Sequence, residues 1–238
     1  MPEKKTAIVT GADRGIGAGL VEGFLKGDYN VVGTSRRVSQ SLAPSASLVL
    51  VDGDIGNQET AFKTVDAAVG RFGRIDVLVN NAGIFRKKAF TDYTTDDFND
   101  LASANLLGFL YMTQLAVKQM LKQKSGCVVT ISAALADQPF AGEPASVSML
   151  TKGGLNTITR SLAIEYAKEG IRFNAVAPGV VDTWLHGNDP TEILESYQPM
   201  GKIVKVSDIV EAVLFLAGAG QITGEVLHVD GGEHAGRW

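Results

Sequence analysis

The chain has 238 residues, of which 45% are apolar and 20% are charged, and its formal net charge is −4. This length and composition fit one globular domain with a sizeable core. They argue against nucleic acid as a main partner, because no basic stripe is available to neutralise phosphates. No apolar run reaches the length of a membrane span, and a strand follows the first residues too closely for a signal peptide. We therefore expect a cytoplasmic protein.

The single cysteine, Cys127, excludes an internal disulfide. Its apolar neighbours, Val128 and Val129, indicate an inert thiol in the core. We expect no metal ion.

The first motif is a glycine-rich segment at residues 10–17, TGADRGIG. The apolar residues 7–9 before it predict a buried strand, and Leu20, Val21 and Phe24 after it recur at helical spacing. Strand, glycine turn and helix in this order predict the beginning of a dinucleotide-binding unit. An ordinary glycine-rich turn is the alternative, and the flanking strand and helix weigh against it.

Each glycine of this segment has an expected task. Gly11 permits a tight turn, Gly15 lets the backbone come close to a pyrophosphate, and Gly17 lets the new helix lie against the strand. The free N–H groups and the dipole of that helix attract the phosphates.

The glycine spacing, Thr-Gly-x-x-x-Gly-Ile-Gly, resembles the fingerprint of the classical short-chain dehydrogenase/reductase family. A second hallmark of that family follows the predicted fourth strand (residues 75–79) as Asn80-Asn81-Ala82-Gly83. The resemblance implies that Asn81 ties strands together through its amide. It also implies that Ala82 and Gly83 let the ribose of the cofactor lie on the backbone.

The end of the second predicted strand, residues 30–35, indicates which cofactor is preferred. An acidic residue there would bind the 2′-hydroxyl of NAD, whereas arginine suits the 2′-phosphate of NADP. The strand is followed by Arg36 and Arg37, and Arg14 adds a positive charge at the same corner. We therefore expect NADP(H) in preference to NAD(H), the alternative being that Arg36 and Arg37 are solvated loop charges.

Further cofactor contacts are implied by the resemblance. Asp54, after the third strand, would hold the adenine amino group, although Asp54 or Asn57 could instead cap the next helix. The stretch from Pro178 to Thr183 matches the family's Pro-Gly-x-x-x-Thr, which lines the nicotinamide, and Thr183 would bond the carboxamide. The complete set expected to bind the cofactor is Gly11, Asp13, Arg14, Gly15, Ile16, Gly17, Ser35, Arg36, Arg37, Asp54, Ile55, Asn81, Ala82, Gly83, Lys152, Pro178, Gly179, Val181 and Thr183.

The resemblance covers essentially the whole chain and implies a doubly wound α/β fold of Rossmann type, with about seven parallel strands and helices on both faces. Residues 1–238 would form one domain, in which residues 184–206 are a substrate loop or lid. Periodicity predicts helices over 58–72, 95–122, 147–168 and 207–216, and strands over 126–132, 170–176 and 224–232. Relatives commonly form dimers or tetramers, so we expect a homo-oligomer that acts on a small-molecule substrate.

The predicted active site departs from that of the family, which transfers hydride between a nicotinamide and a substrate carbon. The family lysine, which holds the ribose and lowers the pKa of a catalytic tyrosine, is matched by Lys152. Ser148 stands four residues earlier, where one helical turn would place the tyrosine. No tyrosine lies between Tyr111 and Tyr166, so no small shift of the alignment restores one.

Two further catalytic positions are implied by the resemblance. Asn105 lies in the predicted helix 95–122, where the family asparagine turns its backbone carbonyl inward to hold a water beside the lysine. A solvent-facing polar residue is the alternative. The family serine falls at Ala133, so Ser132 would have to substitute for it, or else its hydroxyl bonds a neighbouring strand. The interval from there to Ser148 is about two residues longer than usual.

Three hypotheses remain open, because a serine hydroxyl is a far poorer acid than a phenol and losing a general acid costs about 10²–10⁴ in rate. We favour a reductase of an activated acceptor, such as a quinone or reactive carbonyl. Its proton would come from Ser148-bound or free water, or from a loop residue such as His186, Tyr197 or Asp182. The second hypothesis is an NADP(H)-binding protein without turnover, with a sensing or scaffolding role. The third is an ordinary ketone or alcohol enzyme with another proton relay.

Overall fold

The computed structural model describes residues 4–184 and 190–236, and its centre is one sheet of seven strands in the order β3-β2-β1-β4-β5-β6-β7. All neighbouring strands are parallel. The strands are β1 (Thr6–Thr10), β2 (Asn30–Ser35), β3 (Leu48–Asp52), β4 (Val77–Asn80), β5 (Gly126–Ile131), β6 (Ile171–Pro178) and β7 (Val226–Val229). The predicted doubly wound α/β fold is confirmed.

Helices cover both faces of this sheet, because successive side chains of each strand point to opposite faces. Val9 packs in the cluster that holds α1 and α7, whereas Ile8 packs in the cluster that holds α2, α4 and α5. The helices are α1 (Gly15–Lys26), α2 (Gln58–Phe72), α3 (Thr95–Leu101), α4 (Gly108–Gln123), α5 (Ser146–Tyr166), α6 (Thr191–Ser196) and α7 (Val206–Gly218). Within the described part of the chain, no helix is long and apolar enough to cross a membrane.

The predicted helix over 95–122 is interrupted in the structure. Residues Ala102–Leu107 form a π-helical turn between α3 and α4. Such turns occur where a helix is bent around a functional site, and this one contains the buried Asn105. Hydrophobic spacing did not reveal it, because a single widened turn barely changes the apolar pattern.

The predicted long connection at 184–203 also differs, because part of it is helical. Pro190, with φ of −58°, directly precedes α6 (Thr191–Ser196). A proline with this φ is already set for a helix, but six residues are too few to give a periodic apolar pattern. The crossover between β2 and β3 has only a 3₁₀ turn, Val38–Gln40, as its short length predicts.

Ion pairs and a helix cap hold the loop before α3 in place. Thr94 caps α3 in a reciprocal capping box with Asp97. Asp97 also pairs with Arg86 and, at 2.6 Å, with Lys88. The Lys88 ammonium and then the Thr94 N–H hold the pKa of the Asp97 carboxyl well below its usual range. Arg86 and Lys88, two members of a basic cluster in the sequence, are therefore anchored to α3.

The buried thiol of Cys127 agrees with the sequence-based expectation. Burial raises its pKa to about 11, so the reactive thiolate is suppressed.

The close packing of α1 against the turn before it can be tested by a substitution at Gly17. A Cβ at Gly17 would lie 1.9 Å from the carbonyl oxygen of Gly11. We expect Gly17→Ala to lower the free energy of unfolding by about 1–3 kcal/mol, because the helix must move away from the turn. Urea denaturation measures this. Gly70→Ala in α2 is the matched control, since nothing lies within 4 Å of its Cβ position. Gly70→Ala should raise the free energy of unfolding by about 0.5–1 kcal/mol. Equal effects of the two variants would contradict a close contact between α1 and the turn.

Candidate cofactor and catalytic site

A cavity of about 960 Å³ lies along the carboxyl ends of the strands. Parallel strands bring the residues that follow them to one edge of the sheet, where ligands of such folds bind. The predicted cofactor residues in its wall are Gly11, Asp13, Arg14, Gly15, Ile16, Gly17, Ser35, Arg36, Asp54, Ile55, Asn81, Ala82, Gly83, Lys152, Pro178, Gly179, Val181 and Thr183. Arg37 is not in the wall. His186 lies outside the described residues.

The glycine turn is held in shape from the neighbouring strand. Gly11 and Gly15 have φ of +66° and +53°, which side chains other than glycine rarely adopt. The amide of Asn81 donates to the carbonyl oxygens of Thr10 at 2.9 Å and Gly11 at 3.2 Å. A Cβ at Gly11 would lie 3.0 Å from the Cα of Ala82. The backbone is therefore bare where a pyrophosphate would approach the start of α1.

The end of β2 offers unused polar groups to a ligand. The Ser35 hydroxyl is buried and has no hydrogen-bond partner within residues 4–184 and 190–236. Arg36 lines the same cavity and forms no ion pair with any described residue. An orphaned hydroxyl beside an exposed guanidinium fits a phosphorylated ribose. The residues present thus fit an NADP-type dinucleotide.

At the adenine position, the two alternatives for Asp54 are resolved in part. Asn57, not Asp54, caps α2, since its side chain accepts from the Glu59 N–H at 2.9 Å. Asp54 Oδ1 accepts from the Gly56 N–H at 2.8 Å, which closes a turn, and the residue lines the cavity.

Trp184 covers the outer side of the glycine turn. The Arg14 guanidinium carbon lies 3.5 Å from the centre of the Trp184 ring system, a cation–π contact. The indole nitrogen is 3.8 Å from the Cβ position of Gly15, and Thr183 packs beside it. Trp184 thus places an apolar surface over the start of α1.

Lys152 and Asn105 meet at Gly83. A Cβ on Gly83 would lie 3.3 Å from Lys152 Nζ and 2.9 Å from Asn105 Oδ1. Lys152 Nζ donates to the carbonyl oxygen of Ile131 at 2.8 Å, and burial lowers the pKa of the lysine to about 8. The ammonium is thereby fixed at the end of β5, next to the bare backbone of Gly83.

The side chain of Asn105 is occupied by the fold. Its Oδ1 accepts from the Ile84 N–H at 2.8 Å, and its Nδ2 donates to Ile84 O at 3.0 Å and to Thr151 Oγ1 at 2.9 Å. Asn105 is therefore not a solvent-facing residue. Any chemical task would fall to its backbone carbonyl, as the family resemblance implies.

The Ser148 hydroxyl is also occupied. It accepts from the Arg86 N–H at 2.9 Å and donates its proton to the Arg86 carbonyl oxygen, also at 2.9 Å. The residue is 0% exposed and is absent from the cavity wall. In this arrangement Ser148 fastens the loop at residue 86 to α5 and has no proton to offer to a molecule in the cavity.

Ser132, unlike Ser148, lines the cavity. Its N–H donates to Val176 O at 2.8 Å, and its hydroxyl reaches the same oxygen only at 3.4 Å. This long second bond to the neighbouring strand leaves the hydroxyl able to turn toward a ligand. Ala133, at the family serine position, contributes a methyl group to the wall.

The other half of the cavity is mainly apolar. The rings of Phe140 and Tyr197 pack with centroids 5.2 Å apart. Together with these two, the wall contains Leu135, Met149, Trp184, Ile193 and Leu194.

Asp100, Glu143 and Glu233 are acidic residues of this wall that were not predicted, and Glu233 differs from the other two in its burial. Glu233 is 2% exposed and faces the cavity. Burial first, and then the charge of Asp230, raise the pKa of Glu233 to about 7. A signal was present in the sequence, because Glu233 directly follows the glycines after the last strand and all strands end at the same edge.

The comparisons with known proteins agree with this geometry. A family model described as enoyl-(acyl carrier protein) reductase matches residues 11–234. The chain is 35% identical over 241 residues to a 3-oxoacyl-[acyl-carrier-protein] reductase FabG of Buchnera aphidicola, covering 96% of this chain and 97% of the relative. A FabG reductase of Aquifex aeolicus is 34% identical over 242 residues, covering 96% of each chain.

Solved structures give the same picture. ElxO with NADP bound superimposes with a TM-score of 0.91 at 33% identity, covering 98% of this chain and 100% of ElxO. A 3-ketoacyl-(acyl-carrier-protein) reductase from Brucella melitensis, complexed with NADH, has a TM-score of 0.91 at 29% identity, covering 98% and 99% of the two chains. With its motifs, sheet order and nearly full-length matches in agreement, this chain belongs to the short-chain dehydrogenase/reductase family and is an oxidoreductase.

Proposed function

We propose that this protein is an NADPH-dependent reductase with a non-standard active site, which transfers hydride to an activated acceptor such as a quinone or reactive carbonyl. One contrast carries the proposal. The groups expected to bind the dinucleotide are present along the cavity, whereas the family's tyrosine position holds Ser148, whose only proton is donated to Arg86.

The choice of acceptor follows from the missing acid. When bound, the reduced nicotinamide supplies a hydride. Lys152 and the backbone at Gly83 would hold the ribose, and the Thr183 hydroxyl would orient the carboxamide. The position four residues before Lys152 holds Ser148 and therefore offers no phenol to protonate a developing alkoxide. Quinones and similar acceptors tolerate this, because their reduced anion is delocalised and can take its proton later from water or from Tyr197, which lines the cavity.

The preference for NADP(H) rests on the polar groups at the end of β2. Arg36 and Arg14 line the cavity, and the unpartnered Ser35 hydroxyl lies at the same corner. The solved relatives include complexes named with NADP and with NADH, so relationship alone does not decide between the two.

We also propose that α6, within the predicted substrate loop, acts as a lid over the cavity. Ile193, Leu194 and Tyr197 of α6 and its end contribute to the apolar wall. Movement of α6 would open or cover the acceptor half, which would exclude water during hydride transfer.

A second candidate, reduction of an ordinary ketone such as a 3-oxoacyl group, is favoured by the names of the curated relatives. It would require a proton relay that does not use Ser148. NADPH oxidation by the purified protein, with a simple quinone and a simple ketone run side by side, separates the two. A fluorescence measurement of bound NADPH accompanies each run.

We expect turnover of the quinone alone. Turnover of the ketone at a comparable rate would support the second candidate. Saturation with NADPH and consumption of neither would contradict both reductase assignments and favour a binding protein without turnover.

The role of Ser148 can be tested directly. Ser148→Ala removes both bonds to the Arg86 backbone, so we expect a loss of about 1–3 kcal/mol in the free energy of unfolding. Quinone turnover should stay at the wild-type rate, because the hydroxyl does not reach the cavity. Ser196→Ala is the control, since that exposed hydroxyl bonds only the nearby Ile193 carbonyl. Loss of turnover with NADPH binding intact would instead assign the proton to Ser148.

Cofactor preference can be tested with adjacent arginines. Arg36→Ala should weaken NADPH binding by about 10- to 100-fold, the effect of one lost charge-assisted hydrogen bond, and leave NADH binding unchanged. Arg37→Ala is the matched control, because Arg37 is outside the cavity wall. Fluorescence titration of each variant with NADH and with NADPH measures the dissociation constants, which are compared with those of the wild type. An equal loss for NADH and NADPH would rule out a contact to the 2′-phosphate.

We also propose a homo-oligomer. Leu150 and Ile164 on α5 are 64% and 82% exposed, and Leu107 and Leu110 near the start of α4 are partly exposed. Apolar side chains on adjacent helices favour burial against a second copy. Sedimentation velocity should give at least twice the monomer mass of 25.2 kDa, and a monomer at micromolar concentration would contradict this.

A further inference from the structure

Glu233 occupies an unusual place in the cavity. It begins a short 3₁₀ turn, Glu233–Ala235, after β7, and the two glycines before it have φ of +61° and +93°. These left-handed conformations turn the chain back over the end of the sheet. The result is a glutamate residue that is 2% exposed as a whole and yet lines the cavity.

The other acidic residues of the cavity wall have partners. Asp13 is 3.8 Å from Arg14, Asp54 accepts from a backbone N–H, Asp100 pairs with Arg86, and Glu143 pairs with Lys87. For the Glu233 carboxyl, the described chain provides neither a hydrogen bond nor an ion pair. The Glu233 oxygens are not among the fully enclosed unpartnered atoms and border the cavity, so the carboxyl is available to a ligand group bound there.

The position of this carboxyl is set by Gly179. A Cβ on Gly179 would lie 2.9 Å from Glu233 Oε2 and 2.9 Å from the Cα of Asp230. The missing side chain at residue 179 therefore makes room for the carboxyl. Gly179 belongs to the Pro-Gly turn that the family resemblance assigns to the nicotinamide, so Glu233 borders the region where an acceptor must bind.

The charged groups around Glu233 do not neutralise it. Asp230 accepts from the backbone N–H groups of Gly232 and His234 and pairs with the His234 ring at 2.7 Å. His234 in turn stacks on His228 of β7, which pairs with Asp137 beyond β5. Both histidines are thus engaged with other carboxylates, and Asp230 adds a fixed negative charge beside Glu233.

We propose that Glu233 determines acceptor specificity by binding a hydrogen-bond-donating group, a hydroxyl or a protonated amine, on an otherwise apolar acceptor. The apolar body would pack against Phe140, Met149 and Tyr197 in the same cavity. This inference rests on the proposed function in that it assumes an acceptor bound in this cavity.

The test uses binding to the NADP⁺-loaded protein, in which no turnover occurs. The probes are 1,4-benzoquinones with a propyl, a 3-hydroxypropyl or a 3-(dimethylamino)propyl side chain, whose saturated chains leave the ring chemistry alike. We expect the hydroxyl and ammonium probes to bind about 10- to 100-fold more tightly than the propyl probe, as measured by calorimetry. Glu233→Gln should reduce the ammonium preference at least tenfold, whereas the control Glu143→Gln should retain it.

The affinity of the ammonium probe should depend on pH in a direction set by the ionisation of Glu233. Burial first, and then the charge of Asp230, raise the pKa of Glu233 to about 7. The carboxylate form predominates above that value, so affinity for the ammonium probe should rise as the pH increases from 6 to 8. Affinity for the hydroxyl probe should change little, because a neutral carboxyl also accepts a hydrogen bond. A merely structural carboxyl would give no such difference between probes.

Several outcomes would overturn the inference. These are equal affinities for the three probes, no binding of any of them, or a preference that survives in Glu233→Gln. An equal fall in quinone turnover for all probes in that variant, without a change in relative affinity, would assign Glu233 to proton transfer instead. Selective binding without NADPH oxidation would support the Glu233 site while contradicting the proposed reductase function.

Discussion

The site depends on the hydrogen bonds between the end of β1 and the residues after β4. The Thr10 hydroxyl accepts from the N–H groups of Asn81 and Ala82, at 3.0 and 2.9 Å, and the Asn81 amide donates back to the glycine turn. These bonds join segments about 70 residues apart and hold the glycine turn against Ala82. Without them the bare backbone that receives a dinucleotide would lose its shape, because glycines fix no conformation by themselves.

The cavity that results has two halves of different character. The cofactor half is built from backbone, glycine and a few polar groups, and the matches to relatives extend over residues 11–234. The proposed acceptor half is mainly apolar. Ser148, which lies outside the cavity wall, contributes structure, since its hydroxyl fastens the backbone of Arg86. The ion pairs of Arg86 and Lys88 hold the same loop to α3. Ser148 is therefore part of the packing of this loop.

Sequence reasoning found the cofactor half because its signals are local. Gly11, Gly15 and Gly17 lie within one turn, and a strand and a helix flank them. It could not find the partner of Ser148, because Arg86 is 62 residues away and a serine in the first turn of a helix carries no mark of a reciprocal backbone bond. The helix α6 was too short to produce a periodic pattern. Glu233 was visible in the sequence, but only the fold shows that the residue is buried at the cavity wall and that its carboxyl has no partner among the described residues.

The stack of Trp184 on Arg14 connects ligand binding in one half of the cavity with ligand binding in the other. Arg14 belongs to the cofactor half, whereas Trp184 begins the connection toward α6 and the acceptor wall. A ligand that alters the free energy of this stack alters the affinity of both halves, and linkage requires the effect to be reciprocal. An acceptor that stabilises the stacked indole must change cofactor affinity by the same factor with which the cofactor changes the affinity of the acceptor.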